Sequence, residues 1–457
     1  MWRIISGDMD VVQRQLHARY GPLVRISPNE VSCADPDAIP KIYPNHRPLQ
    51  KTDFYPIWGR PSISNQPDSF TCTDERVHSQ YRRIVNPVYT LSNVLKSEEY
   101  LDGCINLFIE RLGEYADVQK AIDLGHWLQM FAFDVIGEIF FGRMFGFMEE
   151  SHDHESLIAS LDTLMPPLCV MAIAPVYLRP FILISSLFIP GARKSGKAVG
   201  IIEEKARICV AERLGHIQDG LELRNDLLSH LLQIRDEKGE KINFSTNEVI
   251  LESWIAILAG SDSTAIALRA VFYFLMKTPA AYKRAQEEID AAVARRALSS
   301  PVKYAEALKL PFLCACIKEA MRLHPSVGLS LQRYAPTEGI SLCGTLIPKG
   351  YRVGVNAAVV QQDTSTFGAD AHEYKPQRWL TGDEDVRALE RAMLIFGAGT
   401  RTCLGKNISI AEIYKLMPEV LRHFALELAH SQPWKTNNRW FNKQSNIVVR
   451  LKRRVPG

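Results

Sequence analysis

Apolar residues recur at intervals of three and four along most of the chain, and this spacing predicts helices with a buried face. The longest such stretch follows Ser245-Thr-Asn-Glu248, which has the spacing of a capping box, in which each polar side chain accepts a hydrogen bond from a backbone amide at the helix start. We therefore expect a long buried helix from Val249 to about Met276.

The alternation typical of strands is limited to two distant stretches of sequence. It covers Leu23 to Ser32 and, interrupted by turns, Ile340 to about Val360. Thr278-Pro279 and Leu310-Pro311 predict the starts of two further helices, because proline suits the first helical position. The pattern as a whole predicts a mainly α protein with a small β-rich lobe that is assembled from distant parts of the chain.

Composition narrows the class of protein. The chain has 457 residues, and no Gly/Ser linker or internal repeat divides it, so we expect one domain over residues 1–457, acting as a monomer. A formal net charge of +3 is too small to indicate nucleic acid as a partner. Nine cysteines, an odd number without a disulfide-like spacing, indicate a reducing compartment.

The most specific chemistry lies in Phe396-Gly-Ala-Gly-Thr-Arg-Thr-Cys403-Leu-Gly405. A helical pattern follows Gly405, so Cys403 would lie at a helix N-terminus, where free amides and the helix dipole favour a thiolate. Glycines at positions 397 and 399 permit positive φ angles or a close approach to a flat ligand. Arg401 places a cation two residues from the sulfur. The alternative interpretation is a buried structural cysteine.

The pattern Phe-x-x-Gly-x-Arg-x-Cys-x-Gly resembles the haem loop of cytochromes P-450 at every defined position. The resemblance implies haem b as the cofactor, with Cys403 as the axial ligand of the iron and with Phe396, Gly399 and Arg401 around it. It also implies that the haem lies between the long helix and the helix after the cysteine. A thiolate ligand donates electron density to the iron and favours O–O cleavage.

A second motif, Ala259-Gly260-Ser261-Asp262-Ser263-Thr264, lies within the predicted long helix and resembles the oxygen-activation motif of the same family. Glycine is a poor helix former and a buried aspartate is costly, so both residues indicate a function. The resemblance implies three catalytic residues, Asp262, Ser263 and Thr264, in which an acid and an alcohol relay protons. Serine at 263 replaces the usual threonine and leaves the hydroxyl less restricted. A Ser/Thr-rich kink in a core helix is the alternative.

Haem carries two propionates, which need cations or hydrogen-bond donors as partners. The resemblance implies four such residues, in the family's order along the chain: His78, Arg82, Arg333 and Arg401. A solvated arginine is the ordinary alternative for each of the arginines. Three further charged residues resemble the family's buried Glu-Arg-Arg network, to which we assign a structural role: Glu319, Arg322 and Arg378.

The resemblance covers residues 20–450. Within this family, the chain resembles filamentous-fungal microsomal enzymes of the pisatin-demethylase-like kind. It implies a monooxygenase of secondary metabolism that uses O2 and electrons from a separate NADPH-cytochrome reductase, with cytochrome b5 as an optional further partner. The acid-alcohol pair favours a monooxygenase over a haem-thiolate isomerase, dehydratase or nitric-oxide-reductase type of enzyme. Small or apolar pocket candidates favour a hydrophobic terpenoid, polyketide or indole alkaloid as substrate: Ile255, Ala256, Ala259, Val327 to Ser330 and Phe441.

Segment 165–191 is strongly apolar, but five prolines and Arg179 interrupt it. We therefore expect short helices and a loop in the interfacial layer of a membrane, with Phe181, Ile182, Leu187 and Phe188 as contacts, rather than a spanning helix. Ordinary core is the alternative. Microsomal relatives usually carry an anchor helix before the segment that corresponds to Tyr20-Gly-Pro-Leu-Val-Arg-Ile, and we expect that it was trimmed or that the gene model starts late. The implied location is the cytosolic face of the endoplasmic reticulum membrane.

Overall fold

The computed structural model describes residues 2–454 apart from 187, 189 and 222–223. Helices make up most of this described chain. In chain order they are α1 (Trp2–Ser6), α2 (Met9–Tyr20), α3 (Ile39–Ile42), α4 (Glu75–Val85), α5 (Leu91–Lys96), α6 (Glu98–Asp117), α7 (Leu124–Phe141), α8 (Phe147–Glu150), α9 (Leu157–Ile173), α10 (Arg179–Ser186), α11 (Pro190–Gln218), α12 (Leu227–Ile242), α13 (Thr246–Lys277), α14 (Pro279–Ala294), α15 (Tyr304–Ala307), α16 (Pro311–Leu323), α17 (Ala357–Val360), α18 (Thr364–Phe367), α19 (Asp383–Arg391) and α20 (Lys406–His423).

The strands are short and come from distant parts of the chain. They are β1 (Leu23–Ser27), β2 (Glu30–Cys33), β3 (Ile122–Asp123), β4 (Arg333–Tyr334), β5 (Ile340–Leu342), β6 (Thr345–Ile347), β7 (Arg352–Val355), β8 (Phe424–Leu428), β9 (Lys435–Arg439), β10 (Phe441–Ser445) and β11 (Val448–Arg453). Four of them form a sheet in the order β1-β2-β7-β4, with β2 and β7 parallel, and three form a sheet in the order β3-β11-β8. The mainly α class with a small, discontinuous β-rich lobe is confirmed.

Helix α13 is the predicted long helix, and its capping box is present. The Ser245 amide donates to Glu248 Oε2 at 2.7 Å, and Ser245 Oγ accepts from the amide of Asn247 at 3.2 Å. The helix is buried along most of its length and packs against α7, α16 and α20. It therefore forms a central wall against which the loop before α20 can define a site.

Local signals fixed most boundaries, with one exception. Helices α14 and α16 begin at Pro279 and Pro311 as predicted, and β1 and β2 occupy the predicted stretch, with β2 ending one residue later, at Cys33. The expected strand character up to Val360 was wrong at its end, because residues 357–360 form α17. Asn356 causes the change, since its side-chain oxygen accepts the amide of Ala358 at 2.9 Å and caps a helical turn.

The apolar segment 165–191 differs from its prediction in one respect. Pro166 and Pro167 do not break the chain but lie inside α9. Both are half-buried, and the carbonyls that lose a donor belong to positions four residues earlier that are not buried, where water can replace the amide. The short helix α10 follows as expected and exposes 69% of Phe181, while Phe188 is 77% exposed. Leu187 lies outside the described residues.

Among the described residues, two helical segments have the length and hydropathy to cross a membrane, His154–Ile173 and Thr246–Lys277. In the second, 72% of the apolar window is buried inside the protein, compared with 44% in the first. The second is the core helix α13, so its apolar character is explained by packing.

Candidate active site

An interior cavity of about 310 Å³ lies between α13 and the loop that precedes α20. Apolar side chains form most of its wall, and the predicted pocket residues Ile255, Ala256, Ala259 and Phe441 are among them. Val327 and Leu329 also line it. A largely apolar cavity with a few polar groups is the usual form of a small-molecule or cofactor site.

Cys403 borders this cavity, two residues before the helix cap Gly405. Its amide donates to Phe396 O at 2.8 Å, which closes the loop. Burial raises the pKa of the Cys403 thiol, whereas the amides of Gly405 and Lys406 and the charge of Arg82 act in the opposite direction. The helix N-terminus therefore contributes as expected but does not by itself outweigh burial.

At three positions near the cavity, the structure explains why the residue is a glycine. Gly397 and Gly399 have φ angles of 68° and 67°, the left-handed region in which glycine has no steric cost. A side chain on Gly399 would also collide with the carbonyl of Tyr43. A methyl group at Gly260 would lie 2.5 Å from Ile136 Cδ1, so the packing of α13 on α7 already requires glycine there. Packing between two helices is therefore a sufficient reason for the glycine, apart from any function.

The three residues of the predicted relay do not share one position. Ser263 and Thr264 line the cavity, and Ser263 Oγ donates to the Ala259 carbonyl at 2.7 Å. Asp262 is buried behind the wall, where its carboxylate accepts from the side-chain amide of Gln129 and lies 3.8 Å from Lys443 Nζ. Burial raises the pKa of the Asp262 carboxyl, while the charge of Lys443 lowers it. The acid therefore lies outside the cavity wall, directly before the two alcohols in sequence, and its side-chain partners are Gln129 and Lys443.

The predicted cations gather on one side of the cavity. Arg82 lines it, and among the described residues no carboxylate lies within ion-pair distance of its guanidinium. Arg333 is buried and donates to Tyr55 Oη at 3.1 Å and to the Gln332 carbonyl at 2.8 Å. Arg401 binds Glu75, with Nη2–Oε1 at 2.5 Å. Of these three arginines, Arg401 alone has a carboxylate within ion-pair distance among the described residues.

His78 is buried near these cations, and its Nε2 atom has no hydrogen-bond partner in the described part of the chain. Burial lowers the pKa of His78 to about 3, and the charges of Arg401, Lys51, Arg82 and Arg333 add to the effect. A neutral imidazole with a free nitrogen can still donate to an anionic ligand.

Lys51 is a fifth basic residue at this place that no motif identified. Its Nζ donates to the Phe70 carbonyl at 2.6 Å and lies 4.2 Å from the centre of the Tyr55 ring. Burial, followed by the charges of Arg333 and Arg401, holds the pKa of Lys51 well below its usual value. Its position in Lys51-Thr-Asp-Phe-Tyr gave no chemical signal, because only the fold brings it beside the other cations.

The Glu-Arg-Arg network is present and fully buried at its centre. Glu319 binds Arg322 through two contacts of 2.8 Å and also accepts from Arg378 Nε at 2.8 Å and from Trp379 Nε1 at 2.8 Å. Gln361 donates to the Arg322 carbonyl and accepts the amide of Leu394 at 2.7 Å. The network therefore supports the chain immediately before the cysteine loop, and none of its members lines the cavity.

Several cavity residues escaped the sequence reasoning because aromatic residues carry no motif. Trp58, Phe70, Trp254 and Trp440 all line the cavity. Glu252, which precedes Asp262 on α13, also borders the cavity. Its carboxylate accepts hydrogen bonds from the hydroxyl groups of Tyr81 and Tyr89 at 2.8 and 2.9 Å. Hydrophobic spacing placed these residues on helices or loops but could not say which of them face inward.

A family model described as Cytochrome P450 matches residues 2–451. The chain therefore belongs to the cytochrome P450 family, whose members bind haem b. It is 44% identical to Cytochrome P450 monooxygenase gsfF of Penicillium aethiopicum, over 98% of this chain and 90% of that relative. It is 45% identical to Cytochrome P450 monooxygenase ACRTS1 of Alternaria alternata, over 82% of this chain and 99% of the relative. Identity to Cytochrome P450 monooxygenase cicH of Emericella nidulans is 36%, over 99% and 90%.

Proposed function

We propose that residues 1–457 act as one catalytic domain, a haem-thiolate monooxygenase that inserts one atom of O2 into a hydrophobic small molecule of fungal secondary metabolism. The observation that carries the proposal is that Cys403 borders the same apolar cavity as four residues of the α13 motif: Ala259, Gly260, Ser263 and Thr264. Membership of the P450 family and the names of the three relatives support the same class of reaction.

The residues around the cavity fit haem b. Cys403 would bind the iron, with Phe396 and Gly399 in the loop around it. Two propionates would meet four basic residues, Arg82, Arg333, Arg401 and Lys51, of which Arg401 alone has a carboxylate within ion-pair distance among the described residues. The Nε2 atom of His78, which has no partner in that part of the chain, would be a further donor. When bound, the haem supplies the activation of O2. The protein's own contribution is to hold the group, to keep water out with apolar walls and to deliver protons.

Proton delivery would fall to the acid and the alcohols of α13. Asp262 is placed to hold a proton, because burial favours its neutral form, and to exchange it with the surface through Lys443, which also pairs with the half-exposed Asp162. Ser263 and Thr264 present hydroxyl groups to the cavity. Thr264 Oγ1 donates to Ser409 Oγ at 3.1 Å, which links α13 to α20.

The partners that we propose are O2, an NADPH-cytochrome reductase and, as an optional second electron donor, cytochrome b5. A reconstitution experiment tests the assignment: purified haem-loaded protein is incubated with a lipophilic substrate panel, NADPH and reductase. Product that depends on both NADPH and O2 supports the monooxygenase. Product formed without reductase would instead support the isomerase or dehydratase class.

We also propose that the region around α10 contacts the cytosolic face of the endoplasmic reticulum membrane. Phe181, Leu183 and Ile184 are exposed on α10, as are apolar side chains of the turn before it. Arg179 does not oppose this contact, because its guanidinium is turned toward the protein and binds Asp53 Oδ2 at 2.9 Å and the Ala174 carbonyl at 3.0 Å. The helix thus presents an apolar face while its one cation is neutralised.

A further inference from the structure

One wall of the cavity is a cluster of four aromatic rings. Trp440 lies 5.1 Å from Phe54, 5.8 Å from Trp58 and 5.8 Å from Phe70, measured between ring centres. Trp58, Phe70 and Trp440 line the cavity directly. Aromatic rings attract further rings at centre distances of about 4.5–7 Å in offset or edge-on arrangements. This wall therefore favours a ligand that is itself flat and aromatic.

The backbone of Trp440, which belongs to this wall, has a strained conformation. It connects β9 to β10 with a φ angle of 80°, a region that bulky side chains rarely adopt. Its carbonyl accepts the amide of Gly328 at 3.1 Å, and its side chain is buried. Strain of this kind persists where the surroundings impose it, and it often accompanies a ligand site.

Two indole N–H groups of the cavity lack acceptors. Trp58 and Trp254 are both buried and both line the cavity, and the Nε1 atom of each has no hydrogen-bond partner among the described residues. An indole N–H can only donate, and a buried one ordinarily finds an acceptor. A ligand with oxygen acceptors would complete both groups, whereas a pure hydrocarbon would leave them unpaired at a cost.

The charges of the cavity disfavour a basic ligand. Lys51, Arg82 and Arg401 line it, and the carboxylate of Glu252 is occupied by two tyrosine hydroxyl groups. Glu412 also lines the cavity, and its two oxygens have no partner among the described residues, but burial raises the pKa of this carboxyl well above its usual value. Its neutral form offers an amine no negative charge, so an amine would meet the cations uncompensated. The aliphatic remainder of the wall, such as Leu258 and Leu329, adds no preference between ring types.

We propose, resting on the monooxygenase function above, that the substrate is a planar aromatic compound bearing carbonyl or ether oxygens, as an aromatic polyketide does. Trp58 and Trp254 donate hydrogen bonds to those oxygens, and Trp440 stacks on the ring. The sequence left three substrate classes open, and the proposal favours the polyketides over the terpenoids and the indole alkaloids.

Four probes separate ring type from oxygen content: fluorenone, fluorene, the terpenoid ketone nootkatone and its hydrocarbon valencene. Binding to haem-loaded protein is measured by the Soret shift and by calorimetry. We expect fluorenone to bind about tenfold more tightly than fluorene, in line with one added hydrogen bond in a buried site. We also expect it to bind about tenfold more tightly than nootkatone, which keeps the carbonyl but has no aromatic ring to stack on the wall. Nootkatone binding as tightly as fluorenone, or equal affinity for fluorenone and fluorene, would overturn the proposal.

Conservative variants assign the effect to residues. Trp58→Phe and Trp254→Phe keep a ring but remove the N–H, so the preference for fluorenone over fluorene should fall while fluorene affinity is retained. Trp434→Phe, outside the cavity, is the matched control and should change nothing. Trp440→Leu should weaken both aromatic probes about tenfold and leave valencene unchanged. An unchanged preference in both indole variants would refute the donor role.

The same samples distinguish failure of the two proposals. A red-shifted carbon-monoxide band in the reduced protein reports the haem-thiolate centre and is independent of the probes. Absence of that band with an intact fluorenone preference by calorimetry would refute the monooxygenase alone. Haem loss in Trp58→Phe with an unchanged probe preference would assign that indole to a propionate and overturn its substrate role.

Discussion

The ammonium of Lys443 lies 3.8 Å from the carboxylate of Asp262, although one residue is on β10 and the other in the middle of α13. Lys443 also contacts Asp162 on α9, which is half-exposed. The buried acid of the oxygen-activation motif therefore has a charged connection to the protein surface. This relationship makes the proposed proton supply testable from both of its ends.

Replacement of the acid and of the alcohol should have different effects. Asp262→Asn should slow product formation about ten- to a thousandfold, because an amide cannot deliver a proton. Ser263→Ala should retain NADPH consumption but release peroxide in place of product. Product, NADPH and peroxide are measured in the same reconstituted reaction. Unchanged rate and coupling in both variants would favour the isomerase or dehydratase alternative.

Removal of Lys443 should move the pH dependence of turnover. Its charge lowers the pKa of the Asp262 carboxyl, so Lys443→Met should raise that pKa further. If the protonated acid is the active form, rate falls as pH rises through its pKa, and the fall should occur at higher pH in the variant. Rate is recorded against pH with saturating reductase. Lys435→Met, on the neighbouring strand β9, is the control and should leave the profile in place.

The sequence anticipated what depends on local spacing and missed what depends on packing. The capping box at Ser245, the proline starts of α14 and α16 and the cysteine loop are encoded within a few residues, so they could be predicted. The direction of Asp262 could not, because it depends on how α13 is rotated against α7. Lys51 and Trp254 were missed for the same reason, since only the assembled fold brings them to the cavity. The expectation that Pro166 would break the helix was wrong, because the cost of a proline inside a helix depends on whether that face of the helix is exposed to water.

The ligand assignment predicts a spectroscopic change. Cys403→Ser should abolish the red-shifted Soret band of the reduced carbon-monoxide complex and most activity, because an alkoxide does not replace the electron donation of a thiolate. Cys316→Ser, a buried cysteine away from the cavity, is the control and should keep the band. Persistence of the band in Cys403→Ser would refute the assignment.

Lys51 should contribute to haem retention in a pH-dependent way. Without an anion the pKa of Lys51 is held well below its usual value, and a propionate beside it would raise that pKa. Haem binding then takes up a proton, so affinity should fall as pH increases through the bound-state pKa.

Lys51→Met tests this and should speed haem transfer to apomyoglobin roughly tenfold or more, as expected for a lost charge-assisted hydrogen bond, and should flatten its pH dependence. Lys51→Arg should restore much of the retention. Lys41→Met, on the exposed face of α3, serves as the control. Transfer rates identical to wild type in Lys51→Met would show that the lysine has no role toward the propionates.

The membrane contact depends on side chains that the structure shows to be exposed. Phe181, Leu183, Ile184 and Phe188 replace the set expected from sequence, because Ile182 is only half-exposed. Each contributes about 1.5–3 kcal/mol if fully buried in lipid and less at partial depth. Changing all four to serine should weaken co-sedimentation with liposomes at least roughly tenfold.

A matched variant changes four exposed apolar residues elsewhere to serine: Val118, Leu308, Leu346 and Leu380. Equal loss in both variants, or wild type that stays in the supernatant at low salt, would place the contact elsewhere or remove it.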